Sequence, residues 1–167
     1  LQADDALRVE VAQMKEKFMT QAQALLHGDL HTGSIMVNQT DTIVIDPEFA
    51  FYGPMGFDVG AVIANLFLSY ASHEVRTVDP DKRGTFRKYL TDTVVRLWQV
   101  FVRELQPVWD QVDSINLPKG YQQQYMLNIL QDAAGMGACK MMRRIIGLAG
   151  VEDIRGIENV DDRSIAA

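Results

Sequence analysis

Apolar residues recur at helical intervals from Leu7 through Val11, Met14, Phe18 and Ala22 to Leu25. This spacing predicts an amphipathic helix over the opening stretch, with Asp4 or Asp5 as its N-cap. The glycines of "HGDLHTGS" then impose a loop. Two short strand-like runs, "IMVN" and "TIVI", flank the polar turn Gln39 to Asp41 and predict a β-hairpin. "DPEFAFYGPMG" reads as irregular, because Pro47 and Pro54 each remove a backbone donor. A helix starting near Asp58 turns Val62, Ile63, Leu66, Phe67 and Tyr70 inward, and "SHEVRTVDPDKRG" reads as a loop. A second strong amphipathic helix runs through Phe86, Leu90, Val94, Leu97 and Phe101 until Pro107 interrupts it. From Pro118 to Gly150 the pattern gives two more helices, broken around the small residues Ala133 to Ala138. Asp161 and Asp162 mark a last helix start.

The fold class that results is α+β and mostly helical, with one small hairpin. At 167 residues and 47% hydrophobic the chain has the size and apolar content of one domain, and 23% charged residues argue against disorder. A net charge of −6 gives no electrostatic footprint for nucleic acid or an anionic membrane. The longest apolar stretch, Val59 to Ala71, is short and interrupted by Asn65 and Ser69, so no bilayer span is expected. One cysteine, Cys139, excludes an internal disulfide and a cysteine-based zinc site, and fits a reducing, cytoplasmic setting. The chain opens on Leu1 and runs into "NVDDRSIAA" with no stop signal, as a piece of a longer polypeptide would.

The hairpin carries the chemistry. Asp46 precedes proline, which biases it toward an extended conformation, and in an extended segment Asp46 and Glu48 share a face. Two carboxylates about 6 Å apart repel by roughly 3 kcal/mol at an effective dielectric near 20. Either the pair is exposed and costs little, or it holds a hard cation such as Mg²⁺ beside substrate phosphates. Asp29 lies seventeen positions earlier, within "HGDL", with the hairpin between. That order parallels the kinase sequence H-R-D-L-x-x-x-N followed by D-F-G, with Ser34 in the asparagine slot and "DPE" in place of D-F-G. An ionised Asp29 would accept a proton from an attacking hydroxyl while separate carboxylates serve the metal.

"HGDLHTGSIMV", "VIDPEFAFYGPMGFDVGAVIANLFLSY" and "ACKMMRRIIGLAGVEDI" resemble the C-terminal lobe of the 5-methylthioribose kinases, in the aminoglycoside-phosphotransferase-like branch of the kinase fold. The resemblance implies Asp29 as catalytic base and substrate contact. It implies Asp46 and Glu48 as magnesium ligands, with Ser34 a weaker, neutral one that Glu48 would replace at a second metal. Arg143 and Arg144 are the implied substrate-site pair. The implied reaction moves the γ-phosphoryl group of ATP to the 1-hydroxyl of methylthioribose in methionine salvage, by a homodimer. Residues 1–167 form a single C-terminal lobe in this picture. No glycine-rich phosphate cover or strand lysine precedes Asp29, so the N-terminal nucleotide-clamping lobe is absent and the 167-residue chain alone is expected to be inactive. Other acceptors of the same fold, sugar or amino alcohol, and a non-catalytic scaffold or pseudokinase lobe are the alternatives.

The supporting residues have plainer readings beside these. His27 orients the loop through a backbone hydrogen bond or takes part in the chemistry, and His31 packs the loop or faces the cleft. Asp58 is an N-cap or a brace for the catalytic loop. His73 lies in a polar loop, and Trp98 and Trp109 are core. Arg143 borders the apolar stripe Cys139, Met142, Ile145, Ile146 and Ala149, with Arg144 pointing further out. By its position alone the pair complements a helix C-terminus.

Overall fold

The computed structural model describes residues 3–112 and 116–167, so Leu1 lies outside the described residues. Among the described residues six α-helices and four short strands follow in chain order: α1 (Asp5–Thr20), β1 (Ala24–Leu26), β2 (Ile35–Val37), β3 (Thr42–Val44), β4 (Phe51–Gly53), α2 (Gly56–Arg76), α3 (Pro80–Val112), α4 (Lys119–Ile146), α5 (Glu152–Arg155) and α6 (Val160–Ala166). This is the mostly helical α+β class expected. Among the described residues no helix is long and apolar enough to cross a membrane.

Asp4 caps α1 by accepting from the Leu7 N–H at 3.0 Å. The helix stops at Thr20 rather than at Leu25. Ala24–Leu26 instead pairs antiparallel with Phe51–Gly53, in the register Leu25 to Tyr52. Helical spacing could not reveal this, because the partner strand lies about a hairpin's length downstream, inside the stretch read as irregular. The predicted hairpin is present, with Ile35 opposite Val44 and Val37 opposite Thr42. Its turn is stapled by the Asn38 side-chain Oδ1, which accepts from Thr40 and Asp41 N–H groups at 2.8 and 2.6 Å.

The interval from Ser72 to Gly84 is mostly helix. α2 continues to Arg76, and α3 begins at Pro80 under an Asp79 cap that accepts from Asp81 and Lys82. Proline at a first helical position needs no partner for its missing N–H, so "DPD" is a helix start and not a loop. His73 accordingly sits on α2, bonded to Thr77 Oγ1 at 2.6 Å and against the Phe86 ring at 4.4 Å. Pro107 does not interrupt α3. The turn beyond it is held from outside, where Trp109 packs on Tyr125 at 4.9 Å. Trp98 and Trp109 are half-buried, not core.

The small residues expected to break the last helical region are its tightest contact. α4 is continuous, and a Cβ at Gly60 would lie 2.3 Å from the Ala133 carbonyl oxygen, and one at Gly137 2.8 Å from that of Gly60. α2 and α4 therefore touch backbone to backbone, as small residues allow. The buried face of α2 is Ala61, Val62, Ala64, Leu68 and Ser72, one step round from the predicted stripe, and Phe67 is exposed. Leu68 heads a cluster with Ile154, Ile157 and Ala166 that seats the two terminal helices. Asn159 caps α6 through Asp161 and Asp162 N–H groups, which confirms a helix start there. On the opposite side, α1 is tied to α4 by an ion pair between Lys17 and Asp132, whose carboxylate is buried.

Candidate active site

The loop between β1 and β2 is fixed from three directions. Asp58, buried in the first turn of α2, accepts from the His27 N–H at 2.6 Å and the Gly28 N–H at 3.2 Å. Asp58 thus ties the loop to α2 and makes no side-chain cap on its own helix. His27 Nδ1 accepts from the Asp29 N–H at 3.3 Å, which leaves Nε2 to donate to the Ile45 carbonyl at 2.7 Å. The ring thus joins the loop to the residue just past the far strand of the hairpin. Asn65 of α2 accepts from the Thr32 N–H at 3.2 Å, a support that the sequence pattern did not single out. Gly28 has φ +87°, and a Cβ there would meet the Phe49 carbonyl oxygen at 2.1 Å. Only glycine fits this crossing of loop and hairpin.

Asp29 emerges at the end of this scaffold. Its Oδ1 accepts from Lys140 Nζ at 2.8 Å, with Arg144 Nη2 at 4.0 Å. Its Oδ2 lies 3.9 Å from His31 Nε2. The Lys140 side chain is 8% exposed and that of Asp29 36%. Burial by itself would raise the Asp29 pKa, but the Lys140 hydrogen bond and charge, with His31 and Arg144 behind them, hold it below the usual carboxylate value. Asp29 is thus an ionised carboxylate with one oxygen committed and the other open.

Lys140 was not anticipated. The signal was available, because it continues the buried α4 positions Ile129, Ala133 and Met136 at helical spacing, where an unpaired lysine is rare. The arginines are reversed relative to expectation. Arg144 turns inward, its side chain 16% exposed, with Nη1 donating to the Ala149 carbonyl at 3.2 Å. Its buried Nε has no hydrogen-bond partner among the described residues. Arg143 is the exposed one, yet it lines the cavity beside Asp29. The buried face of α4 passes through Met136 and Lys140, not through Ile146, which is exposed, and this rotation exchanges the two guanidiniums.

Asp46 is not extended: it occupies the left-handed region at φ 60°, ψ 51°, immediately before a short 3₁₀ turn over Pro47–Phe49. Proline disfavours the right-handed helical conformation before it, and aspartate tolerates the left-handed one better than most residues. Asp46 and Glu48 are exposed and, among the described residues, neither carboxylate makes a hydrogen bond or ion pair. Hard oxygen donors left uncommitted fit Mg²⁺, which takes one or two protein carboxylates with phosphates and water. Among the described residues no three His, Cys, Asp or Glu converge into a self-sufficient metal cage. Ser34 is buried, and its hydroxyl lies 3.3 Å from the His31 ring nitrogens. His31 thereby packs the loop while facing Asp29.

Two cavities adjoin this region. The larger, about 1160 Å³, lies between β1, α2 and the C-terminal half of α3 and is mostly apolar, with Asp58 and Arg96 its charged lining residues. Asp58 is already engaged by the loop, so this space holds no free acid. The smaller, about 270 Å³, is the one that contains Asp29, Lys140 and Arg143.

The model of the phosphotransferase enzyme family (APH) matches residues 1–110. Methylthioribose kinase 1 of Oryza sativa subsp. japonica is 42% identical over 174 residues, covering 96% of this chain and 40% of the relative. Methylthioribose kinase of Escherichia coli O45:K1 (strain S88 / ExPEC) is 44% identical, covering 96% and 41%. That of Geobacillus kaustophilus (strain HTA426) is 43% identical over 165 residues, covering 98% and 39%. The chain spans about two fifths of the length of these relatives. With a loop acid braced by the first turn of a following helix and a family match over its first 110 residues, the chain belongs to the phosphotransferase enzyme family.

Proposed function

We propose that this chain is the acceptor-activating lobe of a kinase that transfers the γ-phosphoryl group of ATP to the 1-hydroxyl of 5-methylthioribose, a step of methionine salvage. The single observation that carries the reading is Asp29: ionised, braced through His27 and Gly28, with Oδ2 open beside a cavity of small-molecule size. The names of the relatives supply the acceptor. No observation favours another acceptor or a non-catalytic scaffold.

In this reading Asp29 Oδ2 accepts a hydrogen bond from the acceptor hydroxyl and orients it for attack. With its pKa depressed, Asp29 takes the proton late, as the phosphoryl group arrives, so most of its contribution is alignment. Lys140 fixes the carboxylate from the other side. The Arg143 guanidinium, which lines the cavity, offers donors to sugar or phosphoryl oxygens, and Arg144 adds its charge from behind Asp29. Asp46 and Glu48 would hold magnesium, which when bound neutralises phosphate charge.

The test uses the complete polypeptide, with ATP consumption measured against methylthioribose, ribose, choline and an aminoglycoside. Methylthioribose should give by far the highest kcat/KM, and Asp29→Asn should lower kcat by at least ~100-fold. A preference for any of the other three, or an active Asp29→Asn enzyme, refutes the proposal.

A further inference from the structure

Two lysine–aspartate pairs meet at α4, and they are built in opposite senses. In the first, the Asp132 carboxylate is buried and the Lys17 side chain is 34% exposed, so water serves the donors that the pair leaves over. In the second, the Lys140 side chain is 8% exposed and Asp29 is the open member. A lysine ammonium has three N–H donors. Lys140 spends one on Asp29 Oδ1 at 2.8 Å, and among the described residues it makes no other hydrogen bond. The Phe57 ring, 5.9 Å from Nζ, offers only its face. Arg144, the other α4 cation near Asp29, gives Nη1 to the Ala149 carbonyl. A buried charge with donors left over is costly unless further hydrogen bonds meet them. Lys140 lines the cavity together with Asp29, so a ligand held there can supply the missing oxygens.

We propose that Lys140 is a catalytic residue whose ammonium donates to an oxygen of the phosphoryl group in transfer, bridging that group to Asp29; the proposal rests on the kinase reading above. The acceptor hydroxyl is held on Asp29 Oδ2, and the two oxygens of one carboxylate share a carbon. The phosphorus that bonds to that hydroxyl therefore arrives within reach of the ammonium on Oδ1. The step forms the bond from the acceptor oxygen to the γ-phosphorus and breaks the bond from that phosphorus to the bridging oxygen of ATP, which leaves as ADP. The hydroxyl proton passes to Asp29, and Lys140 gives up none. Its charge meets the phosphoryl oxygens where they approach an acid, a contact that the free sugar cannot make. The ammonium thus favours the transferring and transferred group over the unreacted alcohol.

The experiment uses the complete enzyme and two ligands, methylthioribose and its 1-phosphate. Calorimetry without nucleotide gives the affinity of each, beside kcat and KM. Lys140→Met should lower kcat by roughly 100-fold with little change in KM for the sugar. It should weaken binding of the 1-phosphate by at least ~10-fold more than binding of the sugar. Lys140→Gln, which keeps a neutral donor for Asp29, should show the same loss of discrimination. Lys88→Met removes an equal charge from an exposed position on α3 and should leave the ratio of the two affinities unmoved. Circular dichroism verifies folding of each variant. A constant ratio in a folded Lys140 variant overturns the contact even where kcat falls, because a lysine acting only through Asp29 would slow turnover without telling phosphate from alcohol. An unsubstituted enzyme that does not phosphorylate methylthioribose overturns the kinase reading and this proposal together.

Discussion

Asp29 and Lys140 share one hydrogen bond of 2.8 Å but sit in different solvent, and this makes their removal unequal. Asp29→Ala strands an ammonium that is 8% exposed, with little but the Phe57 ring nearby to compensate it. Breaking a buried pair in this direction costs about 3–5 kcal/mol. Lys140→Met leaves a carboxylate that is 36% exposed, with Arg144 at 4.0 Å and His31 at 3.9 Å. Water replaces the lost donor, so the cost should fall near the lower end of a charge-assisted bond, about 1.5 kcal/mol. The double variant removes the stranded charge and should be more stable than Asp29→Ala by ~1–2 kcal/mol. Urea denaturation of the four proteins, as complete polypeptides, measures all three differences. Equal losses in the two single variants would show that burial does not govern the pair. Simple additivity in the double variant would show that the two groups are not coupled.

Gly28→Ala places a Cβ against the Phe49 carbonyl in a backbone region that disfavours side chains, so it should lose at least ~2 kcal/mol in denaturation and most of its turnover. Asp58→Ala leaves the His27 and Gly28 N–H groups without their acceptor and should cost roughly 2–4 kcal/mol; Asp58→Asn, which retains one acceptor oxygen, should recover part of this. Because the folded pKa of Asp29 is depressed, its contribution to stability is present above the unfolded value of 3.8 and is lost as pH falls through the lower folded value. Acid titration of Tm should therefore show a step below pH 3.8 that Lys140→Met shifts upward. Burial raises the Cys139 pKa, so alkylation at pH 7 should be slower than for a free thiol, and should quicken in urea.

Most of what the sequence disclosed was local. The Asp4 cap and the hairpin pairing Ile35 with Val44 each depend on neighbours within ten residues. What it hid was set by distant partners. Leu25 and Leu26 have helical spacing but pair with Phe51 and Tyr52. Pro107 stays helical where Trp109 finds Tyr125. Ala133 to Gly137 resembled a break because small residues serve turns and close crossings alike. The exchange of Arg143 and Arg144 had the same origin: the inward face of α4 is chosen by its contact with α2, one helix position away from the stripe of apolar side chains. Lys140 went unnoticed because an acid 111 residues earlier makes it tolerable.

The contact through Gly60 and Gly137 has a bearing on the chemistry. Asp58 lies two residues before the first of these glycines and Lys140 three after the second, so one interhelical distance sets both the anchor of the loop and the cation that meets its acid. A methyl group added to either glycine would act as a wedge, drawing anchor and cation apart. Inherited variation at these two silent-looking positions should then register as lost turnover before it registers as lost fold.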